Sequence, residues 1–348
     1  MNATTPIRCL MVGMGNISRH MFCYLKENPW FHCVGIVNRS DDGLRVGRHL
    51  ADVPESSLFK DLDAALLSLK PDAVLINTPS ELHFTQAKQC LEAKCHTLVA
   101  KPVTNDFAQA FELVNLARSN EVTLSVGQQI RYNQHYTALA AYLKAGTLGT
   151  VEAAWFMNSK PRPKVANLAR MLQPALFENT CHHFDNFLAV FEGHNPLWIS
   201  CDGFNPSWSK YVGPCMVNAL IRFSGNLHLT YHGGFSSQSP MYEFRIEGSA
   251  GAIRCHGVHM SNDKMDYQIA PVLGSFTKRQ IDEQFERQDP WIPFLNAWYG
   301  YVRGGVEPPF SGRNNLKVFA MLSAAIDSVN TGRPVEIAGH KMYGKVFT

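Results

Sequence analysis

The sequence predicts an α/β protein with two domains: a doubly wound parallel sheet first, then an α+β domain whose sheet is mainly antiparallel. Three observations lead to this fold class. An apolar run ends in two glycines one residue apart, Gly13 and Gly15, and then becomes helical. Apolar runs alternate with helical patterns as far as residue 126, and hairpin signals follow beyond residue 130. Strands separated by helices indicate right-handed crossovers and a parallel sheet, whereas strands joined by short turns indicate antiparallel pairing.

The first element is a strand over residues 7–12 that leads into the two glycines. Gly13 allows a tight turn out of a buried strand, and Gly15 leaves the backbone N–H groups of the following helix open to a pyrophosphate. Ser18 stands where the usual fingerprint has a third glycine, so the helix must pack closely with a hydroxymethyl group present. The loop predicts dinucleotide binding; a turn in some other α/β fold is the alternative. The predicted binding residues here are Gly13, Gly15, Asn16 and Ile17.

The first domain continues the alternation to residue 126. Strands are predicted over residues 34–37, 71–77, 96–99 and 123–126, and helices over residues 61–69, 81–93 and 106–119. In an open parallel sheet, ligands bind outside the carboxyl ends of the strands. We therefore expect the loops at Thr78-Pro79 and Lys101-Pro102 to lie at the same edge as the glycine loop.

The second domain is predicted to cover residues 127–348, with its C-terminal helices free to pack on either domain. Helices are predicted over residues 131–144, 176–191, 293–303 and 315–330, a strand over 151–157, and hairpins over 217–232 and 242–256. In the first hairpin, Leu229 and Tyr231 alternate with His228 and Thr230. This pattern predicts a sheet with one core face and one polar or interface face.

Composition excludes several classes of protein. A chain of 348 residues with 45% hydrophobic and 18% charged residues is typical of a globular protein of two domains. The net charge of +3, without a basic block, argues against nucleic-acid and membrane-surface partners. Nine scattered cysteines without a C-x-x-C pair indicate a reducing compartment, and no apolar run approaches the ~18 residues of a membrane span. We expect a cytoplasmic protein.

Two groups of residues are candidates for chemistry. Lys101 directly follows a buried strand, and Pro102 biases it toward an extended conformation, so it is suited to polarise a substrate oxygen; a solvated lysine is the alternative. Glu178 and His182 are four residues apart on a predicted helix, where a carboxylate can orient an imidazole that accepts a proton, and Asp185 follows three residues on. A structural buried histidine is the alternative. No H-E-x-x-H spacing or cysteine pair favours zinc, so no metal is predicted.

These motifs occur in a definite order along the chain. The glycine loop is followed by Thr78-Pro79 with His83, by Lys101-Pro102, by Arg131 at the start of the second domain, and by the set Glu178, His182 and Asp185. In this order, and over essentially the whole chain, they resemble the Gfo/Idh/MocA oxidoreductase family, which includes glucose–fructose oxidoreductase and inositol dehydrogenases. The tail over residues 312–334 also resembles that family's ending.

The resemblance implies a Rossmann domain joined to an α+β domain whose large open sheet forms a homodimer or homotetramer interface. It also implies a nicotinamide cofactor and hydride transfer to or from a sugar, cyclitol or related polyol. By the same resemblance, His182 is the acid/base, Lys101 positions the substrate oxygen, and Glu178 orients His182. Ala100 replaces the usual acid before the lysine, and Glu178 replaces the usual aspartate, so substrate placement is expected to differ.

Cofactor choice depends on Asn38-Arg39-Ser40, which follows the second strand. NAD sites usually have an acid there, whereas an arginine accepts the 2′-phosphate of NADP, so NADP is favoured over NAD. The other predicted cofactor-binding residues are Thr78, Pro79, His83, Lys101 and Pro102.

The substrate contacts are predicted less directly. Arg131, Tyr132 and Asp185 are candidates, and the polar or aromatic residues Arg162, Lys164, Trp208 and His232 are further ones, with ordinary surface exposure as the alternative for each. Two other functions stay open: a glycosidase that uses transient oxidation, and a non-catalytic regulator that binds the cofactor.

Overall fold

A computed structural model describes residues 5–162, 168, 171–258, 265–280 and 289–337. The chain divides into two compact units, Met1–Gln129 with Trp291–Leu316, and Ile130–Pro290 with Lys317–Thr348. The sequence places the domain boundary between residues 126 and 127, close to this division. The segment Trp291–Leu316 belongs to the first unit.

The strands and helices follow one another along the chain as listed here. The strands are β1 (Ile7–Val12), β2 (Phe31–Val37), β3 (Leu58–Phe59), β4 (Ala73–Ile76), β5 (His96–Ala100), β6 (Leu124–Gly127), β7 (Val151–Ser159), β8 (Pro196–Phe204), β9 (Met216–Phe223), β10 (His228–Gly234), β11 (Met241–Gly248), β12 (Gly251–Gly257), β13 (Met265–Ala270), β14 (Thr277–Arg279) and β15 (Val335–Glu336). The helices are α1 (Asn16–Glu27), α2 (Asp41–Ala51), α3 (Leu62–Leu69), α4 (His83–Glu92), α5 (Phe107–Ser119), α6 (Gln134–Lys144), α7 (Cys181–Val190), α8 (Trp291–Val302) and α9 (Gly312–Thr331).

The first unit contains a six-stranded parallel sheet in the order β3-β2-β1-β4-β5-β6. The five longer strands confirm the predicted ones, and β4 is completely buried, as expected for a parallel strand covered on both faces. β3 and α2 were not among the predicted elements. β3 has only two residues, and α2 contains Gly43 and Gly47, which lower helix propensity. Ser40 begins α2 by accepting a hydrogen bond from the Gly43 N–H at 3.1 Å.

The second unit contains a nine-stranded sheet in the order β14-β13-β12-β11-β7-β10-β9-β8-β15. Only the β7–β10 pair is parallel among the pairings of the described strands, so the predicted mainly antiparallel sheet is confirmed. Leu229 and Tyr231 are buried and His228 and Thr230 are exposed, as the alternation predicts. The buried face packs on α7, where Phe156 makes an edge-to-face contact with Phe187 at 4.9 Å between ring centroids.

The predicted helix over residues 176–191 is wrong in its first turn. Leu176–Thr180 forms a π-helical turn, and α7 begins only at Cys181. The Cys181 N–H bonds to the Leu176 carbonyl five residues back, and the Thr180 hydroxyl donates to the Ala175 carbonyl at 3.1 Å. A π turn contains one more residue than an α turn. The expectation that Glu178 and His182 share one helix face, which assumes an α-helix over both residues, therefore does not apply here.

Two findings bear on compartment and membrane. All nine cysteines are free thiols. In the part of the chain that the structure describes, every helix is too short or too polar to cross a bilayer.

Candidate active site

The glycine loop is built by two glycines with different constraints. Gly13 has φ +86°, its N–H donates to the Val37 carbonyl at 2.8 Å, and a Cβ there would lie 2.8 Å from the Asn77 carbonyl oxygen. Packing therefore requires glycine at 13. Gly15 has φ −74°, and a Cβ there would have no atom within 4 Å. The open space at Gly15 is what close approach of a ligand to the backbone needs.

The start of α1 is suited to an anion. Its first turn contains no acidic residue, and the backbone N–H groups of Asn16 and Ile17 belong to the turn that intrahelical bonds leave unsatisfied. Ser18 is buried, and its hydroxyl donates to the Gly13 carbonyl at 2.7 Å. The serine in place of a third glycine is thus accommodated by a hydrogen bond to the loop itself. The loop and the helix start fit the pyrophosphate of a dinucleotide.

Asn38 connects the glycine loop to the loop after β2. Its Oδ1 accepts from the Met14 N–H at 3.1 Å, and its Nδ2 donates to the Ser40 carbonyl at 3.1 Å and to the Ser40 Oγ at 3.0 Å. The Ser40 Oγ already accepts two hydrogen bonds, one of them from Gly43, so its O–H remains as a donor. Arg39 is exposed, and among the described residues its guanidinium has no hydrogen-bond partner.

His83 joins the other two predicted loops. It is 1% exposed, its Nδ1 lies 2.7 Å from the Pro102 carbonyl oxygen, and its Nε2 lies 2.8 Å from the Thr78 carbonyl oxygen. Burial lowers the pKa of His83, and the two carbonyls oppose that effect. Both ring nitrogens are used by the backbone, so the ring acts on the site by fixing the loops at Thr78 and Lys101-Pro102.

Lys101 directly follows β5, as predicted, and its side chain is half-buried. The Lys101–Pro102 peptide bond is cis. Thr78 Oγ1 donates to Gln86 Oε1 at 2.5 Å, which ties the loop after β4 to α4. Within the first unit, the structure therefore brings the Thr78-Pro79 and Lys101-Pro102 loops together through His83.

In the second unit, Arg131 and Asp185 form a buried ion pair. Arg131 Nη1 lies 3.0 Å from Asp185 Oδ1, and the two side chains are 9% and 3% exposed. Burial raises the pKa of Asp185 to about 6, and the Arg131 charge opposes this shift. Tyr132 lies close to this pair, and burial raises its pKa as well. The pair fixes the turn before α6 against α7, one turn from His182.

Glu178 lies in the π turn before His182. Its Oε1 is 3.7 Å from Arg162 Nη1, and the two side chains are 26% and 29% exposed. His182 is 7% exposed at the start of α7. The predicted orientation of His182 by Glu178 stays a prediction, and Arg162 is the partner that the ion pair identifies.

Sequence reasoning missed a buried polar network behind His182. The Tyr231 hydroxyl lies 2.8 Å from Thr180 Oγ1 and 2.9 Å from His183 Nδ1, and His183 Nε2 lies 3.1 Å from Asn158 Nδ2. The one sequence signal is the pair of adjacent histidines, of which only the first was assigned a role. This network connects β7 and β10 to the π turn and the start of α7.

The remaining candidates are dispersed. His232 follows Tyr231 in β10 and bonds to Asn218 Oδ1 at 2.8 Å, so it lies on the sheet face opposite α7. Trp208 is 58% exposed, and its Nε1 donates to the Ser236 carbonyl at 2.7 Å. Lys164 lies outside the described residues. No group of three or more His, Cys, Asp or Glu side chains in the described ranges is placed to hold a metal ion.

Comparison with known proteins identifies the family. Residues 7–128 match the model GFO_IDH_MocA, described as "Oxidoreductase family, NAD-binding Rossmann fold", and residues 171–337 match the model of its "C-terminal alpha/beta domain". The chain belongs to the Gfo/Idh/MocA oxidoreductase family. The predicted resemblance is confirmed, and this member of the family is an NAD(P)-dependent oxidoreductase.

Individual Gfo/Idh/MocA relatives extend over most of the chain. YdgJ, an uncharacterized oxidoreductase of Escherichia coli (strain K12), is 30% identical over 342 residues, covering 92% of this chain and 96% of the relative. The NADP(+) scyllo-inositol 2-dehydrogenase IolW of Bacillus subtilis (strain 168) is 20% identical and covers 82% and 84%. The crystal structure of aldose-aldose oxidoreductase from Caulobacter crescentus has the same fold, with a TM-score of 0.84, 17% identity and coverage of 95% and 100%.

The two glycines of the predicted phosphate-binding loop, Gly13 and Gly15, give a matched pair of substitutions. Gly13→Ala is expected to destabilise the first unit by about 1–3 kcal/mol, because it adds a Cβ at positive φ against the Asn77 carbonyl. Gly15→Ala is expected to change the unfolding free energy by less than about 0.5 kcal/mol. It should weaken dinucleotide binding by about tenfold or more, because the methyl group occupies the open space. Urea unfolding and cofactor fluorescence titration measure the two effects. Unchanged cofactor affinity in Gly15→Ala would contradict this assignment of the loop.

Proposed function

We propose that the protein transfers a hydride between NADP or NAD and a secondary alcohol, or its ketone, on a sugar, cyclitol or related polyol. The observation that carries this proposal is the open backbone at Gly15, next to the N-terminus of α1, in a chain that matches both family models. Relatives support the substrate class: one is named a scyllo-inositol 2-dehydrogenase, and another, from Ensifer adhaerens, is named 1,5-anhydro-D-fructose reductase.

The catalytic roles are assigned to His182, Lys101 and Glu178. When bound, the nicotinamide supplies the hydride acceptor or donor. In the direction of oxidation, His182 accepts the hydroxyl proton, and in reduction it returns the proton to the carbonyl oxygen. Lys101 holds the same oxygen and stabilises negative charge on it. Glu178 stabilises the imidazolium form of His182. Arg131, Tyr132 and Asp185 are proposed to shape the substrate site, since the buried Arg131–Asp185 pair fixes the start of α6 against α7.

His182→Ala is the direct test of the catalytic assignment. Turnover is expected to fall by about 100-fold or more, the range that general acid–base catalysis contributes, while the dissociation constant of the reduced cofactor stays nearly unchanged. Sugars, sugar acids and cyclitols are screened at 340 nm with both cofactors. His49→Ala, at an exposed histidine of α2, is the matched control and should have wild-type activity.

Each rival function gives a different result in this screen. Wild-type-like turnover of His182→Ala would remove His182 from the mechanism. Release of a sugar from a glycoside without a net absorbance change would identify a glycosidase that uses transient oxidation. Cofactor binding without hydride transfer to any compound, even in a single turnover, would identify a regulator.

For the cofactor we propose NADP in preference to NAD. Asn38 brings no negative charge to the loop after β2, and its carboxamide is already bonded to Met14 and Ser40. The remaining donors there are the Ser40 O–H and the exposed guanidinium of Arg39, both suited to a phosphate. The acidic residues Asp41 and Asp42 pair with Lys60 and Arg45, which reduces their repulsion of a phosphate.

Arg39→Ala tests this preference. NADPH affinity is expected to fall by about tenfold or more, because one charge-assisted contact to the 2′-phosphate is lost, while NADH affinity changes by less than about twofold. Fluorescence titration with each reduced cofactor measures both. Tighter binding of NADH than of NADPH by the wild type would contradict the proposal.

We also propose that two or four copies associate through the exposed face of the nine-stranded sheet. Trp155 and Met157 on β7 are 39% and 38% exposed there, and Leu220 on β9, on the far side of β10, is 53% exposed. Apolar side chains grouped on one sheet face favour association with a second copy.

Leu220→Glu tests the association. It is expected to shift the protein toward monomers by placing a charge on the apolar face, as measured by sedimentation velocity. Leu67→Glu, at a leucine of α3 that is 78% exposed, is the control and should leave the assembly unchanged. A wild-type monomer at all accessible concentrations would exclude this interface.

We place the protein in the cytoplasm. Nine free thiols are what a reducing compartment maintains, and this supports the proposal. Localisation of a fluorescent fusion in living cells tests it, and export of the fusion would contradict it.

A further inference from the structure

We propose that Arg162 binds an anionic group of the substrate, so that the preferred substrates are sugar or polyol carboxylates rather than neutral polyols. The inference rests on the proposed function, since it concerns the substrate of the site that contains His182. Arg162 belongs to the short extended segment that follows β7.

Arg162 is held in place by the protein before any ligand binds. Its N–H donates to the Phe235 carbonyl at 2.9 Å, and its own carbonyl accepts from the Tyr211 hydroxyl at 3.4 Å. The guanidinium carbon of Arg162 lies 4.6 Å from the centroid of the Phe235 ring. The Phe235 ring in turn stacks on the Tyr211 ring, with 5.8 Å between the two centroids. An arginine fixed by its backbone and by an aromatic ring loses little conformational freedom when it binds a ligand.

In the described part of the chain, most of the hydrogen-bonding capacity of this guanidinium is unused. Its closest charged neighbour is Glu178, at 3.7 Å, which is too long for a hydrogen bond. The contact with the Phe235 ring is a cation–π contact and uses none of the N–H donors of the guanidinium as a hydrogen bond to an oxygen. Among the described residues, these N–H groups have no hydrogen-bond acceptor, although the side chain is only 29% exposed. Half-buried donors without acceptors favour a ligand that supplies them.

The chemistry of a guanidinium favours a negatively charged ligand. A guanidinium presents two parallel N–H donors that match the two oxygens of a carboxylate, whereas a single hydroxyl accepts only one. A carboxylate bound to Arg162 therefore gains two charge-assisted hydrogen bonds, each about twice as strong as a neutral one.

The position of Arg162 connects this contact to the reaction. Its partner Glu178 stands in the π turn that leads directly into α7, and His182 is the second residue of α7. The Arg162 guanidinium therefore lies beside the turn that precedes His182, on the side of Glu178. This placement suits a substrate whose acidic group is separate from its reacting alcohol.

Matched substrate pairs test the proposal. For wild type, kcat/KM is expected to be at least about tenfold higher for D-gluconate than for D-glucitol. The same ratio is expected for D-glucuronate over D-glucose. A tenfold ratio corresponds to about 1.4 kcal/mol of additional transition-state binding. Arg162→Gln should lower kcat/KM for the acids by about tenfold or more and change it for the neutral partners by less than about threefold. Arg162→Lys should be intermediate, because it keeps the charge and loses the fork. Arg303→Gln is the control: Arg303 also stacks on an aromatic ring, that of Tyr299, and is exposed in the first unit.

Binding gives a second measurement that does not depend on turnover. Titration calorimetry with D-gluconate and D-glucitol should show a preference for the acid that Arg162→Gln removes, while its urea unfolding midpoint stays near that of wild type. Equal preference for acids and neutral compounds in wild type would overturn the inference. An equal loss of affinity for acids and for neutral compounds in Arg162→Gln would also overturn it, because it would mean that Arg162 acts only through Glu178. Absence of turnover with every compound would contradict the proposed function instead, and Arg162-dependent binding of the acids would still support this inference.

Discussion

The turn at Gly13 is the constraint on which the first unit depends. β1 lies between β2 and β4, and Gly13 directly follows β1. The Gly13 N–H bonds to the Val37 carbonyl, and the Gly13 Cα lies against the Asn77 carbonyl. Three strands therefore end around one residue without a side chain. Because these contacts fix the carboxyl ends of β1, β2 and β4 together, the glycine loop, the loop after β2 and the loop at Thr78 all open at the same edge of the sheet.

The second unit depends on a different constraint, the π turn before α7. Thr180 accommodates the additional residue by bonding to the Ala175 carbonyl, and the Tyr231 hydroxyl holds both Thr180 and His183 from β10. The register of the first turn of α7 is thus set by a strand and not by the helix alone. A buried network of this kind fixes one arrangement of the first turn of α7, which is what the acid/base role proposed for His182 requires.

Periodicity predicted most of the fold because it reports burial directly. Five strands of the parallel sheet and both hairpins follow from apolar runs and alternation in the sequence. α2 escaped prediction because Gly43 and Gly47 weaken the helical signal; Gly43 is needed where a Cβ would lie 1.9 Å from the Asn38 side chain. The π turn could not be predicted from periodicity because Tyr231, whose hydroxyl bonds to Thr180 in that turn, is distant in sequence. The contacts of both His83 ring nitrogens with backbone carbonyls could not be predicted either, because periodicity contains no information on polar contacts between separate loops.

The pairing of Glu178 with Arg162 explains why this chain has glutamate at position 178, where the family usually has aspartate. Shortening the side chain by one methylene would withdraw the carboxylate by about 1.5 Å, one carbon–carbon bond. The 3.7 Å separation from Arg162 would then exceed the range of an ion pair. The longer acid and the arginine held on Phe235 therefore form one unit, in which Glu178 faces a cation as well as the start of α7. The position at which this chain departs from its family is thus the one at which Arg162 is paired, which is why the proposed substrate contact and the change to glutamate belong together.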